Sequence, residues 1–148
     1  SEKAAMKLYD LPLIAFLDMG DFVGGLMKYL RSQPLSRLTI AGGFGKLSKL
    51  AAGHLDLHSK RSQVDPSFLA ALAKQAGADD GLVSEIAAGG SAGAILQIGQ
   101  NKGLALGDAV AKAAQTEAAK VSEGTFAVEV ILYDRLGHQV GRAGFEET

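Results

Sequence analysis

Three kinds of residue able to do chemistry crowd into one stretch of this chain, Arg37 to Ser59. Gly42, Gly43 and Gly45 follow a short apolar run, Lys46 and Lys49 lie just beyond, and His54 and His58 flank Asp56. A glycine turn that opens a helix offers backbone N–H groups and a positive helix end to a polar or anionic ligand. Two lysines three apart are neighbours on one helix face. With Lys60 and Arg61 close behind, they make either a solvated basic face or a set of cations for a polyanion. The histidines have the i, i+4 spacing of a zinc pair. However, Leu55 stands where the metalloprotease pattern needs glutamate, and no third ligand cluster follows. A packed, hydrogen-bonded histidine or a proton-handling one suits them better. Upstream, Asp18 and Asp21 flank Met19-Gly20 and read either as helix caps or as carboxylates facing a ligand.

The glycines do not form a P-loop, because Leu47 follows Lys46 and Ile40 falls where the first glycine belongs. The dinucleotide fingerprint is half met, by Gly43 and Gly45, with Ser48 in the third glycine position.

The elements that must position these residues follow from apolar spacing. Residues 13–17 form a continuous apolar run between Pro12 and Asp18, as a buried parallel strand does. Phe22, Val23, Leu26, Met27 and Leu30 then recur at helical spacing, and residues 38–41 give the next strand. This predicts a right-handed βαβ unit whose two strand ends share one crevice, bringing Asp18, Asp21, Gly43, Gly45 and Lys46 together. Asp65-Pro66 opens a helix whose end Gly77 caps, and shorter helices are expected at 80–87 and 92–100. Gly107-Asp108 begins a long alanine-rich helix that Gly124 ends, with Asp108 and Glu117 assigned to capping and solvent. Residues 126–134 are the clearest strand, and 139–143 return as an edge strand. The expected fold is α/β: a single three-layer Rossmann-like domain over 1–148, with a mostly parallel sheet, an alanine-rich helical insert and a C-terminal hairpin.

Composition narrows the function classes. Of 148 residues, 47% are hydrophobic and 21% charged, which suits a folded globular domain. A formal net charge of -1 gives no support to non-specific nucleic-acid binding. The absence of cysteine excludes a disulfide or cysteine–zinc site and suits a cytoplasmic enzyme. No apolar run reaches membrane-spanning length, and the first ten residues lack the apolar core of a signal peptide. The chain starts at Ser1 rather than Met, as expected of a fragment.

Residue order within the glycine–lysine stretch adds what spacing does not. Gly43-Phe44-Gly45-Lys46-Leu47-Ser48-Lys49-Leu50-Ala51-Ala52-Gly53, followed by His58-Ser59, resembles the cobalt-precorrin-5B C1-methyltransferases of cobalamin biosynthesis. Leu57 departs from that family's threonine before His-Ser. The resemblance is close over 13–65 and continues beyond only as pattern. It implies the C-terminal domain of a longer two-domain enzyme that transfers a methyl group from S-adenosylmethionine to a cobalt-containing tetrapyrrole. It also implies roles. Asp18, Gly20, Asp21, Gly43 and Gly45 would line the cofactor crevice, Lys46, Lys49 and Ser59 would face the substrate, and His58 would manage a proton. No protein-held metal is implied, since cobalt arrives with the substrate. Two other classes stay open: a non-catalytic nucleotide- or anion-binding module, and a structural domain that forms a homo-oligomer through its alanine-rich helices.

Overall fold

The computed structural model describes residues 23–32, 36–57 and 64–145. In chain order these form α1 (Val23–Leu30), β1 (Arg37–Gly43), α2 (Phe44–Ala51), α3 (Pro66–Gln75), α4 (Asp80–Ala88), α5 (Ala92–Asn101), α6 (Leu106–Ser122), β2 (Ala127–Tyr133) and β3 (Gln139–Ala143). The strand expected at 13–17 lies outside the described residues.

The helices begin where local chemistry satisfies their free N–H groups. At α3, Pro66 occupies the first turn and Asp65 Oδ1 accepts from the N–H groups of Ser67 and Phe68, at 2.9 and 3.3 Å. Asp79 caps α4 through Leu82 N–H, and Ser91 caps α5 through Ala94 N–H. Helix α6 ends as Glu123 and Gly124 enter the left-handed region, at φ 52° and 78°.

The sheet has three strands in the order β1-β2-β3. β1 and β2 are parallel from Arg37↔Ala127 to Gly43↔Tyr133, and β3 runs antiparallel to β2, with Val130 opposite Ala143. The expectation of a three-layer Rossmann-like domain with a mostly parallel sheet is overturned: among the described residues there is one parallel pair in a small mixed sheet, amid six helices. The reason is local. β2 holds β1 on one edge and its own hairpin partner on the other, so no further strand can be added to it. The helices between β1 and β2 therefore gather around α6 instead of alternating with strands. The helical stretch and the C-terminal hairpin stand as expected.

β2 is buried from Val128 to Tyr133, and its two faces differ. Val128, Val130 and Leu132 join Ile40 and Ala143 in a core with Leu47, Leu50, Leu106, Val110, Ala111, Ala114 and Ala118 of the helices. Alanines along α6 let it approach β2, β3 and α2 closely. Gln115, itself buried, donates from Nε2 to the carbonyls of Val128 and Gly144 at 2.9 and 2.7 Å. Strand alternation puts Glu129, Ile131 and Tyr133 on the other face. Glu129 is 1% exposed, and its carboxylate is matched on both oxygens. Oε1 accepts from Thr39 Oγ1 at 2.9 Å, and Oε2 accepts from Arg142 Nε and Nη2 at 2.9 and 2.7 Å.

The start of α6 touches β3 backbone to backbone. A Cβ on Gly107 would overlap the Val140 carbonyl, and one on Gly141 would overlap the Gly107 backbone. Asp108, expected at a cap, instead accepts from Arg142 N–H at 2.9 Å and pins the same contact. Neither backbone can yield to a side chain here. Gly107→Ala and Gly141→Ala should therefore each cost about 3 kcal/mol. Gly93→Ala, within α5 and open to space, should leave stability unchanged or slightly raised. Thermal denaturation of the three variants reads both outcomes.

Candidate functional site

β1 passes into α2 without a loop. Gly43, at φ −70° and ψ 150°, is the N-cap and supplies no side-chain acceptor. The first N–H groups of α2 accordingly have no capping side chain. The stripe Phe44, Leu47, Leu50 and Ala51 turns α2 onto the core and leaves Lys46 on the exposed side. Ser48, which breaks the dinucleotide pattern, is buried and donates to the Gly45 carbonyl at 2.7 Å.

The three glycines have separate reasons. A Cβ on Gly42 would press on Leu47 at 3.3 Å, and one on Gly45 would press on Ala92 at 3.3 Å, so packing accounts for both. Nothing stands within 4 Å of a Cβ built on Gly43. Of the three, Gly43 is the one whose small size leaves room beside the helix end.

Lys49 is half-buried and donates from Nζ to the Leu57 carbonyl at 3.4 Å. Its neighbour on the helix face, Lys46, is exposed. The segment after α2 folds back under it: His54 N–H donates to Lys49 O, and Leu55 O accepts from Gly24 N–H at 3.3 Å. His54 itself is exposed. Of the residues singled out by sequence, the structure thus brings Gly43, Gly45, Lys46 and Lys49 together at one end of the sheet. Asp18, Gly20, Asp21, His58 and Ser59 lie outside the described residues.

Sequence reasoning missed what shares that end. Because Gly43 pairs with Tyr133, the turn from Asp134 to His138 lies beside the start of α2. Strand 126–134 was legible, but nothing in the residues named β1 as its partner. Tyr133, buried on the Glu129 face, has its hydroxyl pKa raised above the ordinary 10.0, chiefly by burial; Arg142 opposes the shift and Glu129 adds to it. An open cleft of ≈ 670 Å³ lies elsewhere, lined by Ala76–Asp79, Glu85 and Lys102–Leu104 among others. Among the described residues no group of three or more His, Asp or Glu could hold a metal ion, and no helix is long and apolar enough to cross a membrane.

Comparison with known proteins settles the class. Residues 56–144 match the family described as CbiD, C-terminal domain, and the chain belongs to that family. It is 50% identical over 143 residues to a cobalt-precorrin-5B C(1)-methyltransferase of Brucella anthropi, a match covering 96% of this chain and 39% of that protein. A protein of the same name from Brucella abortus is 49% identical over the same length, with the same coverage. The chain thus spans 39% of the length of these curated relatives. No solved structure matches.

The turn beside the site carries its own titration. Hydrogen bonds from the N–H of His138 and of Leu136, with the His138 ring, hold the Asp134 carboxyl below the ordinary 3.8, against a smaller opposing effect of burial. A depressed carboxyl contributes stability that is present above its unfolded value and lost as pH falls through the folded one. The protection factors of the Leu136 and His138 amides, which normalise for the slower intrinsic exchange in acid, should therefore fall as pH drops below 3.8. Asp134→Asn, which keeps an acceptor but does not titrate, should remove that dependence.

Proposed function

We propose that this chain is the C-terminal part of a cobalt-precorrin-5B C1-methyltransferase. The observation that carries the reading is 50% identity along 96% of the chain to a protein of that name. The glycine–lysine stretch supports it, because it sits at a sheet end with a helix start that no side chain caps and with an exposed cation.

In this reading S-adenosylmethionine supplies an electrophilic methyl group and the ring carbon C1 of the tetrapyrrole is the enamine-like nucleophile. The protein's work is to align the two and exclude water. The space at Gly43 fits a ligand lying against the helix start, and Gly45 contributes its backbone N–H. Asp18, Gly20 and Asp21 complete the cofactor crevice. Lys46 and Lys49 position substrate carboxylates, Lys49 while tying down the 54–57 segment, and Ser59 hydrogen-bonds to one. His58 takes the proton released as the methylated centre relaxes. The remaining length of the enzyme completes the tetrapyrrole site.

Calorimetric titration of the full-length enzyme with S-adenosylhomocysteine, with ADP as control, tests this. Saturable binding of S-adenosylhomocysteine alone is expected, and its absence overturns the reading. Gly43→Val should abolish that binding. Loss of the glycine cap should cost only about 1 kcal/mol of stability, since its Cβ meets no neighbour in the free protein. His58→Ala should lower methyl transfer while leaving S-adenosylhomocysteine affinity unchanged.

A further inference from the structure

The β2–β3 turn has features that its role as a connection does not require. It is held closed from within. Asp134 N–H donates to the His138 carbonyl at 2.9 Å, Gly137 N–H donates to the Asp134 carbonyl at 3.2 Å, and Gly137 takes φ 84°. Asp134 Oδ1 accepts from Leu136 and His138 N–H, both at 2.9 Å, while Oδ2 lies 3.3 Å from His138 Nδ1. The turn's one carboxylate is thus occupied inside the turn.

What the turn presents outward is different. Leu136 is 81% exposed, more than Tyr29 at 62%, the other large apolar side chain left in water among the described residues. Beside it Arg135 is exposed and makes no hydrogen bond or ion pair among the described residues. The turn thus sets an apolar and a cationic side chain next to each other in water, able to meet a ligand that is both apolar and anionic. Its place is set by the Gly43↔Tyr133 pairing, which puts it at the sheet end that carries Lys46.

We propose that Arg135 and Leu136 are specificity residues for the tetrapyrrole: Leu136 packs on the face of the macrocycle, and Arg135 pairs with one of its peripheral carboxylates. The inference rests on the methyltransferase reading and extends its substrate side from α2 to the hairpin. A macrocycle with an apolar face and a carboxylate rim matches this pairing of side chains, and Lys46 adds a second cation for another carboxylate.

Cobyrinic acid, a cobalt corrin with seven carboxylates, is the probe, titrated calorimetrically into the full-length enzyme. Arg135→Glu and Leu136→Ser should each weaken its binding about tenfold. Arg135→Lys should lose less. S-adenosylhomocysteine affinity and melting temperature should stay unchanged, since both side chains are exposed. Lys120→Glu, the same charge reversal in the last turn of α6, about 20 Å along that helix from the Gly107 contact with β3, should leave corrin binding as it was. Wild-type affinity in both hairpin variants overturns the proposal while the enzyme reading stands. Equal weakening by Lys120→Glu overturns it too, as an effect of net charge. If the unaltered enzyme binds neither cobyrinic acid nor S-adenosylhomocysteine, the methyltransferase reading falls and this inference with it.

Discussion

The structure depends on one ladder, the parallel pairing of β1 with β2. It joins residues 90 apart in sequence, such as Thr39 and Glu129. Each other feature of the sheet end follows from its register. Gly43 meets Tyr133, so the start of α2 and the hairpin turn stand side by side. Ile40 shares a face with Val130, so the apolar side of the sheet is continuous and α6 can close over it. Thr39 meets Glu129, so a carboxylate that would be costly to bury finds a hydroxyl on one side and Arg142 on the other. Breaking such a buried pair by removing one partner costs about 3–5 kcal/mol, whereas a slip of register would strand the charge altogether.

Much of this was legible in the residues, for identifiable reasons. Asp65-Pro66 announces a helix because the cap oxygen and the ring at the first position act locally. The apolar spacing of 22–30 and 108–121, and the β-branched run at 126–134, report period and burial without reference to anything distant. Sheet topology was not legible in the same way. The run 38–41 says that a strand is buried on one side but does not name β2, far downstream, as the strand that lies beside it. The glutamate in Ala127–Tyr133 looks like an interruption of an apolar strand until Arg142 and Thr39 are seen to meet it. Gly107 and Gly141 gave no sign of touching, since two glycines 34 residues apart carry no pattern.

The candidate site divides along the same line. The glycine–lysine stretch was found because helix start, glycines and cations are adjacent in sequence. The structure then separates their duties: Gly42 and Gly45 serve packing, Gly43 leaves space, and Lys49 is engaged with Leu57 while Lys46 is exposed. Arg135 and Leu136 escaped notice because what marks them is exposure on an ordered turn, together with a neighbour brought in by the ladder.

The long connection inside that ladder also bears on how the chain is made. β1 leaves the ribosome well before β2, which follows only after the whole helical stretch has been synthesised. At about 5–20 residues per second, Thr39 waits roughly 5–18 s for Glu129. During that interval the edge of β1 that β2 will take stands open, and α2 has only nascent helices to cover its apolar stripe. The nascent chain is then most exposed to wrong pairing, and release of β2 and β3 from the exit tunnel is the event that ends the risk.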